Sequence, residues 1–264
     1  MPAFRLAAEQ RSTFVEFDLR LTKDRQLVCL HDESLERTTD VEAIFPDRFR
    51  SVTGSGGQAT RRWLLEDFTL AELRKLDAGS WFGPAFRGTR IPTFAETIDS
   101  LRGRSGLFIE LKSPERYEGI ERMILAELKD KRLDLPGADP RTPVLLQSFT
   151  ASSLQIFADL GTKLPVHFLV SAKDAPPWLT PEGLQRVKAF ATGLSPEKSI
   201  VRDHGDAIVR ARKMGLLITP YTFRASAVTG FADVRAEMAH YLDTFGVDGV
   251  ITDNPDQMPA RRSR

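Results

Sequence analysis

The chain has 264 residues, enough for one large α/β barrel or two smaller domains, and a single domain is the expectation. Its 41% hydrophobic and 28% charged residues describe a soluble globular protein able to bury a core. Lys and Arg number 37 against 36 Asp and Glu, a net charge of +1 that gives no general attraction for nucleic acid or an acidic membrane, so any anion site has to be local.

The first residues, Phe4 to Gln10, are good helix formers with apolar residues at helical spacing. Phe14-Val15-Glu16-Phe17-Asp18-Leu19 then alternates in the strand sense, which puts Glu16 and Asp18 on one face. A turn at Thr22 to Arg25 leads to a second strand, Gln26 to Leu30, that ends on His31-Asp32. The connection is too short for a helical crossover, so this pair is read as extended or hairpin-like. Cys29, the single cysteine, sits in the apolar run Leu27 to Leu30 and is read as core packing.

Residues 40–68 read as a long irregular insertion loop, most flexible at Ser51-Val52-Thr53-Gly54-Ser55-Gly56-Gly57. Thr69 is positioned to cap a helix over Leu70 to Leu76, and another helix is predicted for Phe94 to Leu101 after Pro92. From there strands at Leu107 to Leu111, Pro143 to Gln147, Val166 to Val170, Phe190 to Leu194, Leu216 to Thr219 and Val247 to Ile251 alternate with helices near 116–130, 150–160, 181–189, 204–214 and 231–245. Such βα alternation without repeats or linkers predicts a parallel sheet closed as a barrel. No apolar run approaches the ~18 residues of a membrane span. The opening Met-Pro-Ala-Phe lacks a secretory stretch, so the chain as written is expected in the cytoplasm.

In a parallel barrel, the polar residues that close apolar strands are the ones to weigh, because the C-terminal strand ends form the active face. Glu16 with Asp18, and Glu110 with Lys112, stand two apart and so project together. Three converging carboxylates repel unless a cation holds them, and an oxygen-only set suits Mg²⁺ or Ca²⁺ better than zinc. Lys112 is then placed to neutralise a phosphate oxygen, and His31 to act as general acid or base. Singly, each feature also fits a solvated strand face or a surface ion pair.

The run Val15 to Asp24 followed by Leu27 to Asp32 resembles the opening signature of the glycerophosphodiester phosphodiesterase family. Further similar segments are Leu76-Asp77-Ala78-Gly79-Ser80-Trp81-Phe82, Arg90 to Thr93, Phe108 to Lys112, Gln147-Ser148-Phe149 and Gly249 to Pro255. The resemblance implies a TIM (β/α)8-type barrel and metal-dependent hydrolysis of glycerophosphodiesters to sn-glycerol 3-phosphate and an alcohol. It implies Glu16, Asp18 and Glu110 as ligands of Mg²⁺ or Ca²⁺, His31 as a catalytic histidine and Lys112 as a phosphate contact. Gln147, Phe149 and Tyr221 occupy strand ends that fit either pocket lining or core packing.

The family's opening His-Arg-Gly strand is absent from the chain as written, so the barrel is expected to lack its first strand. Either the true start lies upstream, in which case a secreted or periplasmic location is open, or the chain is a shortened relative. The alternative function is therefore a catalytically impaired relative that binds metal and phosphodiester without turnover. A sphingomyelinase D-like protein is disfavoured by the single cysteine. His167, His204 and His240 fit no catalytic position and are read as strand packing and helix residues.

Overall fold

A computed structural model of the protein describes residues 1–53 and 57–260. Helix α1 (Pro2–Glu9) leads into β1 (Phe14–Leu21), and β2 (Leu27–Cys29) returns antiparallel with Leu19 opposite Cys29. The short Thr22 to Arg25 turn allows only this hairpin, as its length predicted. From β1 the sheet continues through parallel strands β5 (Gly106–Leu111), β6 (Val144–Ser148), β7 (Val166–Val170), β8 (Gly193–Pro196) and β9 (Leu217–Ile218). The strand order β2-β1-β5-β6-β7-β8-β9 follows the chain, as a βα-barrel wall requires. Among the described residues the wall does not close, since β2 and β9 end the order and residue 252 joins only through the single bridge Phe223↔Thr252.

Helices α4 (Phe94–Leu101), α5 (Ile120–Asp130), α6 (Ala151–Asp159), α8 (Pro181–Phe190), α10 (Gly205–Lys213) and α11 (Val234–Asp243) supply the outer layer, and their apolar stripes share one core with the strands. Thr93 caps α4 through a full capping box with Glu96, which stabilises the helix start by about 1 kcal/mol. Residues from β2 to Ile91 build a second core of Val28, Leu35, Val41, Trp63, Leu65, Phe68, Leu73, Leu76 and Ile91. This segment roofs one side of the barrel mouth.

Several sequence expectations are corrected. The stretch 40–68 is not irregular: it contains α2 (Val41–Ile44) and a hairpin of β3 (Arg50–Thr53) with β4 (Ala59–Arg62). Both strands are almost wholly exposed, so no apolar alternation announces them. Of the expected flexible tip, Gly54 to Gly56 lie outside the described residues. Helix α3 (Leu70–Leu73) is shorter than expected, although Thr69 caps it with Glu72 in a second capping box.

The expected strand Phe190 to Leu194 begins only at Gly193, because Phe190 still belongs to α8 and packs edge-on against Phe168 and Trp178. Val247 to Ile251 forms no strand. There the Asp248 carboxylate accepts the Ile218 N–H that a neighbouring strand would have bonded. Two short helices, α7 (Pro176–Leu179) and α9 (Lys198–Asp203), were not expected. Cys29 is buried beside Thr97, and burial pushes its thiol up to about 12, as core packing requires.

Candidate active site

Strand β1 alternates buried Val15, Phe17 and Leu19 with Glu16 and Asp18, so the acids point away from the helical layer into the barrel. Parallel pairing sets Asp18 beside Glu110 of β5, and Glu110 beside Gln147 of β6. As a result Glu16, Asp18 and Glu110 each bring a carboxylate oxygen within 4.8 Å of the others. Lys112 Nζ reaches Glu110 Oε1 at 2.8 Å and Asp18 Oδ1 at 3.2 Å. Gln147 Nε2 donates to Glu16 Oε1 at 3.0 Å and holds the third acid in place.

The electrostatics follow from this crowding. Burial, reinforced by Asp18 and Glu110, raises the Glu16 carboxyl well above its ordinary value. Burial and then Asp18 lift Glu110 to about 7. For Lys112 burial works against the charge, but Asp18 and Glu110 outweigh it and hold the ammonium above its usual value. One lysine against three acids leaves the cluster short of positive charge. Oxygen donors this close match a hard divalent cation.

Phe149 and Tyr221 form the adjoining wall, edge to face at 5.6 Å, with Lys112 Nζ 5.6 Å from the Phe149 ring centre. The Tyr221 hydroxyl donates to Val170 O at 3.2 Å, and burial raises its pKa. Gln147, Phe149 and Tyr221 are thus gathered at the mouth with the acids.

His31 arrives from the opposite side. Because β2 runs back along β1, Leu30 N–H bonds Asp18 O at 3.1 Å and delivers His31 beside the acids. Buried Arg20 grips the His31 carbonyl with Nε at 3.1 Å and Nη2 at 2.8 Å. The His31 ring bonds Asp32 Oδ1 through Nδ1 at 2.8 Å, and Arg37 bridges both Asp32 oxygens at 2.5 and 3.0 Å. The Arg37 hydrogen bonds bring the Asp32 carboxyl down to about 2. Glu16, Asp18, His31, Asp32, Arg37 and Trp81 line one cavity of about 290 Å³.

A larger cleft of about 630 Å³ lies against α1 and α4, but its Glu96 is paired with Arg74 and its Asp99 with Lys131, and among the described residues it holds no acid cluster. The smaller cavity is the one that Glu16, Asp18 and His31 line.

Sequence reasoning did not single out Arg20, Arg37 or Trp81. Arg20 had a signal, since it continues the alternation of Glu16 and Asp18. Trp81 lies in the segment Leu76 to Phe82 that resembles the family, but no local spacing points to it or to Arg37, because loops bring them in. Of the other histidines, His167 is buried in β7 against Ser195 and desolvation lowers it to about 4. His240 of α11 packs between the rings of Phe231 and Phe245, which flank that helix, and His204 joins α9 to α10 rather than lying within one helix.

Residues 1–257 match the family model described as the glycerophosphoryl diester phosphodiesterase family. The chain belongs to this family. It is 33% identical to a glycerophosphodiester phosphodiesterase of Bacillus subtilis (strain 168), over 96% of this chain and 78% of the relative. A glycerophosphodiester phosphodiesterase of Caldanaerobacter subterraneus subsp. tengcongensis is 28% identical over 97% of this chain and 88% of its own.

Among solved structures, an Oleispira antarctica phosphodiesterase in complex with the product sn-glycerol-3-phosphate is 26% identical. It superposes with a TM-score of 0.70 over 97% of this chain and 87% of that one. A glycerophosphodiester phosphodiesterase of Agrobacterium tumefaciens aligns at 25% identity with a TM-score of 0.62, covering 96% and 88% of the two chains. The family and these likenesses make the sheet described above a TIM-barrel-type fold, and the chain an enzyme of the phosphoric diester hydrolase class. Among the described residues no helix is long and apolar enough to cross a membrane.

Proposed function

We propose that this member of the glycerophosphoryl diester phosphodiesterase family hydrolyses glycerophosphodiesters to sn-glycerol 3-phosphate and an alcohol, with Mg²⁺ or Ca²⁺ held by Glu16, Asp18 and Glu110. The observation that carries the reading is the convergence of three carboxylates within 4.8 Å beside a lysine and a histidine-bearing cavity. When bound, the cation neutralises the acids and polarises a phosphoryl oxygen.

The chain's own residues do the rest. Lys112 contacts a phosphate oxygen, its charge secured by Asp18 and Glu110. Asp32 fixes the His31 ring through Nδ1, which leaves Nε2 to give or take a proton as water adds across the P–O bond. Gln147 orients Glu16, while Phe149 and Tyr221 form an aromatic wall beside Lys112.

A second reading, binding of metal and diester without turnover, is favoured by one observation. Among the described residues His31 is the one histidine lining the cavity, and the reaction needs a proton taken and a proton given. Purified protein with glycerophosphocholine and Mg²⁺ or Ca²⁺ separates the two, with release of sn-glycerol 3-phosphate as the readout. Turnover lost in His31→Ala and Glu110→Ala supports hydrolysis. Turnover that survives His31→Ala unchanged overturns the role given to His31, and saturable metal-dependent binding without product supports the second reading.

A further inference from the structure

The segment after α3 ends in a tight loop that holds aromatic rings out in water beside the cavity. Trp81 is 52% and Phe82 70% exposed, and the rings of Trp81, Phe82 and Phe86 stack edge to face in a chain at 5.6 and 5.4 Å. The exposure is built into the loop. Asp77 accepts the N–H groups of Gly79, Ser80 and Gly88 at 2.8, 3.0 and 2.9 Å and the Ser80 hydroxyl at 2.7 Å. Ala78 and Thr89 close the base through an N–H···O bond of 2.8 Å. Gly79 is required, because a methyl group there would overlap the Phe86 carbonyl.

Along the loop itself the uncompensated charge has one sign, whereas the acids nearby, Asp32, Glu96 and Asp99, are each held by a cation, Arg37, Arg74 and Lys131. Between Leu76 and Arg90 the only acid is Asp77, whose oxygens are saturated by the loop itself. Arg87 and Arg90 are exposed, and among the described residues neither is paired with an acid. Arg90 spends Nη1 on the carbonyls of Lys75 and Leu76. Rigid exposed aromatics beside unneutralised arginines are the features that partition into a lipid headgroup layer bearing negative charge. The net charge of +1 means that this attraction comes from the patch alone.

We propose that the Trp81, Phe82 and Phe86 rim, with Arg87 and Arg90, docks the protein on an anionic phospholipid bilayer, mouth toward the surface. Trp81 and Arg90 also line the cavity, so docking places the opening where diesters are released from lipid. The docking does not rest on the catalytic reading.

The test is co-sedimentation of the full chain with vesicles of phosphatidylcholine, with and without about 30% phosphatidylglycerol. Trp81 reports the same event, since Trp63 is buried and Trp178 packed, and its emission shifts to the blue on docking. Binding is expected on the anionic vesicles only and fades as salt is raised. Phe82→Ser and Arg87→Glu each weaken it about fivefold or more. Both variants keep wild-type circular dichroism and wild-type turnover of soluble glycerophosphocholine, whatever that turnover is. No vesicle binding, equal binding to neutral vesicles, or unchanged binding of both variants overturns the proposal. So does a concentration-dependent dimer that Phe82→Ser abolishes in a protein that ignores vesicles, because the patch then serves a second copy.

Discussion

Replacing Glu110 by Gln is expected to stabilise the cation-free protein at pH 8 while removing its response to divalent cations. The Glu110 carboxyl titrates at about 7 in the folded protein against an ordinary 4.5, so ionising it costs the fold about 3 kcal/mol. Between those two values the folded state keeps a proton that the unfolded chain has released. Wild-type stability from this group is therefore whole below pH 4.5 and falls as pH rises to about 7.

Glutamine removes that cost, which already counts the 2.8 Å attraction of Lys112, but it sets an amide NH2 among donors placed for a carboxylate. The net gain at pH 8 is about 1 to 2 kcal/mol, and at pH 5, where the wild-type group is protonated, about zero. Urea unfolding followed by circular dichroism at both pH values, in chelator, measures this difference. With Mg²⁺ or Ca²⁺ at about a hundred times Kd, the wild type should gain about 2.7 kcal/mol and the variant little. A variant no more stable than wild type at pH 8 in chelator, or one that still gains from the cation, would refute the reasoning.

Lys112→Met should lower kcat/KM for glycerophosphocholine by about 10² to 10³ and leave divalent affinity equal or tighter, because a competing positive charge leaves the cluster. Calorimetry that finds the metal affinity lost together with activity makes Lys112 a strut for the acids instead. Asp32→Asn should reduce kcat about 10 to 100-fold with a smaller change in KM, since the His31 ring loses its orienting acceptor; steady-state kinetics with unchanged kcat would contradict that role. Gly193→Ala should cost about 1 to 3 kcal/mol, because its methyl meets the His167 ring. In a His167→Ala background the cost should largely vanish in a double-mutant cycle, and simple additivity would rule the contact out as its source.

The parts of the molecule that follow a strict period are legible in its residues. Phe14 to Leu19 alternates, and that alternation together with parallel pairing to β5 is enough to bring Glu16, Asp18, Glu110 and Lys112 to one place. The helix read after Pro92, Phe94 to Leu101, is α4 to the residue. The β3–β4 hairpin has no buried face, and so no pattern. The Val247 to Ile251 segment has a strand's composition, yet the Asp248 side chain takes the bond that would make it one. Arg37 and Trp81 owe their places to loop paths through the second core, which depend on the tertiary structure and not on any local spacing.

That second core also bears on the order of folding. Glu16 pairs with Phe108, so joining β1 to β5 closes a loop of about 90 residues, at an entropic cost of about 4 kcal/mol plus a constant. Most of that loop is the segment around Trp63, Phe68 and Leu73, which has apolar partners of its own. Once compact, it brings the two strand ends closer and shortens the search. Truncating Trp63, which lines no part of the acid-bearing cavity, should then slow refolding as well as speed unfolding, and the acid cluster should be among the last features to form, after its roof.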